Sequence, residues 1–174
     1  MERFARAGLD AIGVDAVGHG SRRWPDLDVR VAAPRDEAKR TMIEIADATA
    51  AEVPGLVGSL RADGYDSVSI AGVSMGAYIV YRALLLEPSI GSAVALLGSP
   101  EGLDFAAFAG IPLLSITAEC DENVPPDAAR SLHRFLGNTS THYLELPGAG
   151  HLLDATSWER AIEATAAWIA AHTS

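Results

Sequence analysis

The chain has 174 residues, enough to bury a core as one domain over residues 1–174, and 49% hydrophobic content excludes a disordered polypeptide. A formal net charge of −10, from 13 basic and 23 acidic residues, argues against a nucleic-acid partner. No apolar run nears the roughly 20 residues of a membrane span, no apolar signal core follows Met1, and the single Cys120 excludes an internal disulfide, so no membrane partner and a cytoplasmic location are expected.

Residues 2–7 read as the tail of a helix stopped at Gly8. Residues 9–14, apolar and β-branched, predict a strand that closes at Asp15. Residues 16–34, rich in Gly, Pro and charge, predict a loop with no element of its own. A helix is expected from Asp36, with an inward stripe through Met42, Ile45, Thr49, Val53, Leu56 and Leu60. Pro54 predicts a kink or a second helix start, and Gly64 a stop. Residues 68–71 alternate as a strand does, and residues 75–86 are apolar almost all round, which predicts a deeply buried helix closed by Pro88.

A short strand follows at 93–97, then a loop at 98–110 with room for one helical turn, and a strand at 111–117. Residues 126–136 predict a helix that packs one face through Ala129, Leu132, Phe135 and Leu136. After a strand at 143–146, the last helix carries Trp158, Ile162, Thr165, Trp168 and Ile169 on its inner face, with Asp154 as its cap. Five alternations of strand and helix predict an α/β fold, a mostly parallel sheet with helices on both faces.

One pentapeptide carries the chemistry. Gly72-Val73-Ser74-Met75-Gly76 lies between a strand and a helix, so the serine occupies a sharp turn beside a helix N-terminus. Glycines two before and two after Ser74 are expected to relieve crowding there. The first-turn N–H groups suit a developing oxyanion. Two further groups follow later strands: Asp121 after residues 111–117, and His151 in the Gly-rich loop after residues 143–146. A serine hydroxyl needs an imidazole to take its proton and a carboxylate to orient that imidazole. Ser74, Asp121 and His151 are therefore the candidate catalytic residues, and Met75 N–H the candidate oxyanion donor.

Other residues compete for these roles. Glu119 and Glu122 flank Asp121, but its offset to Val124-Pro125 favours Asp121. His19 reads as a turn residue ordering its loop, anchored by Asp15. Cys120 reads as packing at a strand end, Arg22-Arg23 as a solvated pair, and Trp158 with Trp168 as core. The five histidines are scattered without ligand spacing, so no metal and no cofactor are expected.

Together these residues resemble the α/β-hydrolase superfamily, from about Arg3 to the C-terminus. Asp15-Ala16-Val17-Gly18-His19-Gly20 resembles its D-x-x-G-H-G turn, Asp121-Glu122-Asn123-Val124-Pro125 its D-x-x-V-P acid loop, and Gly150-His151 its G-H loop. Within it the chain is similar to small dienelactone-hydrolase-like and prolyl-oligopeptidase-like esterases, through Asp15 to Arg22 and Val53 to Val57. The resemblance implies a serine esterase acting on a small-molecule acyl substrate, with an acyl-enzyme on Ser74. It also implies an N-terminally truncated core: the strand between residues 9–14 and 68–72 has no counterpart, and the second oxyanion donor is absent. Too few residues separate 97 from 111 for a cap domain, so an open site with a shallow acyl pocket is expected. An acyltransferase using the same three residues and a non-catalytic or inactive truncated domain are the alternatives.

Overall fold

The computed structural model describes residues 2–137 and 140–173. Four strands, β1 (Ser69–Val73), β2 (Ser92–Leu96), β3 (Leu113–Ala118) and β4 (Thr141–Leu146), form one sheet in the order β1-β2-β3-β4. Every neighbouring pair is parallel, with Ser69 opposite Ser92 and Leu113 opposite both Ala93 and Thr141. The central strands β2 and β3 are buried at every position, which is why Ser-Ala-Val-Ala-Leu and Leu-Leu-Ser-Ile-Thr-Ala read as unbroken small and apolar runs.

Parallel strands need crossovers: α5 (Met75–Leu86) joins β1 to β2, residues 97–112 join β2 to β3, and α6 (Asp127–Leu136) joins β3 to β4, while α1 (Glu2–Arg6), α2 (Leu27–Val31), α3 (Arg35–Ala50) and α4 (Val53–Ala62) precede the sheet and α7 (Ala155–Ala171) follows it. The strand period of two divides the core. Ala93, Ala95 and Leu113 face Val57 of α4, Tyr81 and Leu84 of α5, and Leu132 of α6. Val94, Leu96, Leu114 and Ile116 face Ala161 and Ile169 of α7, with Phe4 of α1 packed against them. Helices therefore cover both faces. Pro54 stands in the first turn of α4, where its missing N–H costs nothing, so the long stripe becomes two helices rather than one kinked one. Asp154 caps α7, its Oδ1 accepting from Ser157 N–H at 2.7 Å.

Five expectations are corrected. Residues 9–14 form no strand, since no ladder partner reaches them among the described residues. Residues 16–34 are not a plain loop: they hold a 3-10 turn at Gly20–Arg22 and the five-residue helix α2. Trp158 is 41% exposed instead of core, because α7 turns that side to solvent; Phe135, at 63%, likewise lies outside the face that α6 buries. Cys120 is exposed and packs nothing away. The helix at 75–86 is buried as expected until its last turn, where Leu85 and Leu86 emerge. Among the described residues, no helix is long and apolar enough to cross a membrane.

Candidate active site

The site is built where three strands end. β1 stops at Val73 and α5 begins at Met75, so Ser74 alone makes the turn. Its φ is +52°, a conformation that costs a residue with a Cβ about 1–3 kcal/mol. Neighbouring bonds hold it there: Ser74 N–H donates to the Leu96 carbonyl of β2 at 2.8 Å, and the Ser74 carbonyl accepts from Ala77 N–H at 2.9 Å. The flanking glycines are not equivalent. A Cβ on Gly72 would lie 2.2 Å from the Gly76 carbonyl oxygen, so the turn closes only over a bare Cα at 72. A Cβ on Gly76 would meet nothing within 4 Å, so the expectation that both glycines relieve crowding holds for Gly72 alone.

Ser74, His151 and Asp121, 77 and 30 residues apart along the chain, form one hydrogen-bonded row. Ser74 Oγ lies 2.9 Å from His151 Nε2, and His151 Nδ1 lies 2.7 Å from Asp121 Oδ2. The Asp121 side chain is almost fully buried, and its other oxygen, Oδ1, accepts from the N–H groups of Asn123 at 2.9 Å and Val124 at 2.8 Å. Both carboxylate oxygens are thus occupied, which fixes the plane presented to the imidazole. Of the acids near Asp121, the Glu119 side chain points to the next loop and Glu122 is exposed.

Sequence reasoning gave Glu119 no task, yet it laces the two loops together. Its Oε2 accepts from Gly148 N–H at 2.8 Å, Cys120 N–H donates to the Ala149 carbonyl at 2.8 Å, and Glu119 N–H donates to the Leu146 carbonyl at 3.1 Å. The signal for Glu119 was its position: an acid at the end of a central strand, beside a strand whose loop starts with Pro-Gly.

The first-turn amides of Met75 and Gly76 have no acceptor within α5, as in any helix start. Ser74 and His151 open into a cleft of about 730 Å³, also lined by Tyr78, Met42, Arg35 and Lys39. That volume falls among ordinary small-molecule sites, about 300–1,000 Å³. Residues 97–112 contribute only the 3-10 turn Phe105–Phe108, so among the described residues this segment holds no cap over the cleft. Lys39 donates to Glu101 at 2.7 Å, and that bond holds its pKa above the usual lysine value. Burial likewise raises the Tyr78 phenol. Asp15 accepts from Ser21 N–H and Oγ, both at 2.9 Å, and its pKa is lowered by those bonds; His19 Nδ1 lies 3.3 Å from the Val17 carbonyl. Both residues organise their turn and lie outside the row. Among the described residues, no group of His, Cys, Asp and Glu could hold a metal ion.

The parallel sheet and helices that carry this row have counterparts among solved structures. A CIB-like hydrolase of Thermoplasma acidophilum superimposes with a TM-score of 0.68 at 15% identity, over 97% of this chain and 75% of that one. The chain has the α/β-hydrolase fold. SOBER1 of Arabidopsis thaliana matches with a TM-score of 0.62 at 20% identity, over 75% of this chain and 66% of its own. BpoC of Mycobacterium tuberculosis, named as a non-heme bromoperoxidase, matches with a TM-score of 0.70 at 16% identity, over 98% and 84%. The chain thus spans just under two thirds of SOBER1. No family model matches the chain, and no curated protein matches it. At these identities the neighbours speak for the α/β-hydrolase fold, and the chemistry rests on the residues.

Proposed function

We propose that the protein is a serine hydrolase cleaving a small carboxylic ester or related acyl compound. The observation that carries this reading is the unbroken pair of short hydrogen bonds from Ser74 Oγ through His151 to buried Asp121. His151 Nε2 takes the Ser74 proton as Oγ adds to the ester carbonyl, and Asp121 holds Nδ1 protonated and stabilises the imidazolium. Met75 N–H, at the head of α5, donates to the carbonyl oxygen as it becomes negative. Collapse of the tetrahedral intermediate expels the alcohol, which takes its proton from His151 and leaves Ser74 acylated. Water, deprotonated by the same imidazole, then releases the acid. The uncapped cleft suits short acyl chains with open access for water.

A fluorophosphonate probe tests the nucleophile directly. Wild type is expected to be labelled and Ser74→Ala to remain unlabelled with an unchanged melting midpoint; equal labelling of both would overturn the reading. His151→Ala is expected to lower ester turnover by at least about 10³-fold, since general-base assistance and nucleophile activation are lost together.

A further inference from the structure

The cleft at Ser74 takes one side of α3 as a wall. Arg35, Lys39 and Met42 line it, three residues at i, i+4 and i+7 that share a helix face. The loop that holds Asp121 adds Val124 and Pro125. Hydrogen bonds within the protein occupy every carboxylate that lines or underlies the cleft. Glu101 accepts from Lys39 Nζ at 2.7 Å, Asp127 accepts from Arg130 at 3.2 Å, and Asp121 holds His151.

Two donors are left over. Arg35 Nη2 donates to the Glu122 carbonyl at 3.1 Å, which fastens the guanidinium to the acid loop and leaves most of its N–H groups free. Among the described residues it pairs with no carboxylate, although the chain has 23 acids for 13 bases. The second donor is Tyr78, one turn into α5 from Ser74. Its side chain is 8% exposed and clusters with Ala46 and Val124, yet among the described residues its hydroxyl has no hydrogen-bond partner. Among those residues Trp168 Nε1 is the only fully enclosed polar side-chain atom without a partner, so Tyr78 Oη opens to the cleft. Burial raises the phenol's pKa, so near neutral pH it keeps its proton and can donate. Lys39, one helical turn from Arg35, is within electrostatic reach of both groups, so the two donors serve one end of the cleft.

A free cation and a free buried donor, with every lining acid taken, are the complement of an oxyanion group. We infer that the substrate is an ester whose alcohol portion carries a carboxylate or phosphate, bound by Arg35 with Tyr78 Oη as the second donor. The alcohol side follows from the proton path. His151 must reach the leaving oxygen, so the alcohol lies toward His151 and the acid loop to which Arg35 is fastened. The inference rests on the serine-esterase reading and narrows its substrate.

Two acetate esters test it on the whole chain: 4-acetoxybenzoate and its uncharged methyl ester, which share the acyl group and the ring. Wild type is expected to show a kcat/KM at least about tenfold higher for the carboxylate, the worth of one charge-assisted hydrogen bond, although the methyl ester has the better leaving group. Arg35→Ala is expected to erase that ratio, and Tyr78→Phe to lower it about threefold, as loss of a neutral donor does. Arg40→Ala, which removes the same charge from α3 outside the cleft lining, is expected to leave the ratio unchanged. 4-Acetoxyphenyl phosphate against phenyl acetate supplies the phosphate arm, and the pair with the larger ratio names the anion. A ratio near one for both pairs, or one indifferent to Arg35→Ala, would overturn the inference and leave the esterase reading standing. A preference confined to the acyl side, for monophenyl succinate over phenyl butyrate, would overturn the placement on the alcohol. Calorimetry on Ser74→Ala separates recognition from turnover: 4-acetoxybenzoate is expected to bind at least about tenfold more tightly than its methyl ester, and to lose that advantage when Arg35→Ala is added. That binding without wild-type turnover of any ester would overturn the esterase reading alone; absence of both would overturn the two together.

Discussion

Single residues decide whether the elbow closes. Gly72→Ala places a Cβ against the Gly76 backbone at 2.2 Å, and neither backbone can yield without moving Ser74. The expected cost is about 2–3 kcal/mol, as for other forced overpacking, with loss of fluorophosphonate labelling. Gly76→Ala meets open space within a helix, so it is expected to keep labelling and to gain about 0.5–1 kcal/mol from helix propensity. Urea denaturation of both variants checks the contrast. Glu119 offers a second test at this scale. Glu119→Ala frees Gly148 N–H and loosens the loop that carries His151, so kcat is expected to fall about tenfold, within what small misplacement can cost. Glu119→Gln, which retains an acceptor, is expected to recover most of it. Much of the row was legible, because Ser74, Asp121 and His151 each follow a strand and sit among turn residues. For Glu119 only the position at a strand end was legible; its acceptor role depends on two loops meeting, which one strand's pattern does not display.

At the scale of elements, periodicity revealed what packing supports. Six of the seven helices and all four paired strands lie near their expected positions, because each carries an apolar stripe or run that meets the core. Residues 9–14 show the limit of that reasoning. Their apolar alternation is real, but a strand exists only when another backbone answers it, and propensity says nothing of the partner. Helix α2 shows the converse. Only Leu27 is buried in it, Val29 is 75% exposed, and the segment is held from outside by Arg30 reaching Glu44 and lying 4.6 Å from the Trp24 ring centroid. No stripe could announce it. Ser115 marks a junction among elements that was equally silent: on β3, fully buried, its Oγ lies 2.8 Å from both Tyr81 Oη of α5 and His133 Nε2 of α6. Ser115→Ala would leave both partners buried without that contact. Unsatisfied buried groups cost about 1–3 kcal/mol each, so a loss of about 2–4 kcal/mol in denaturant unfolding is expected, with the fold and labelling retained.

For the molecule as a whole, charge makes stability depend on pH in two stages of like sign. His133 is lowered to about 4, chiefly by burial and further by His142 nearby. The unfolded chain binds a proton near pH 6.5 that the folded chain refuses until about pH 4, so stability falls as pH drops through that window. The full effect reaches about 3 kcal/mol. The second stage belongs to carboxylates held below their ordinary range: Glu145 by its bidentate bonds from Arg130 at 2.7 and 2.9 Å, Asp154 by the amide of Ser157, and Asp15 by Ser21. Each contributes above its unfolded pKa, near 4 for these groups, and that contribution is lost as pH falls further. Self-repulsion opposes both stages, because the net charge of −10 at pH 7 shrinks as acids are protonated. Burial of one imidazole is worth more than screened surface repulsion, so the melting midpoint is expected to decline from pH 6.5 downward and more steeply below about 4.5. His133→Gln is expected to flatten the upper stage while leaving the lower one. A midpoint that instead rises between pH 6.5 and 5 in the wild type would mean that relief of repulsion outweighs the buried histidine.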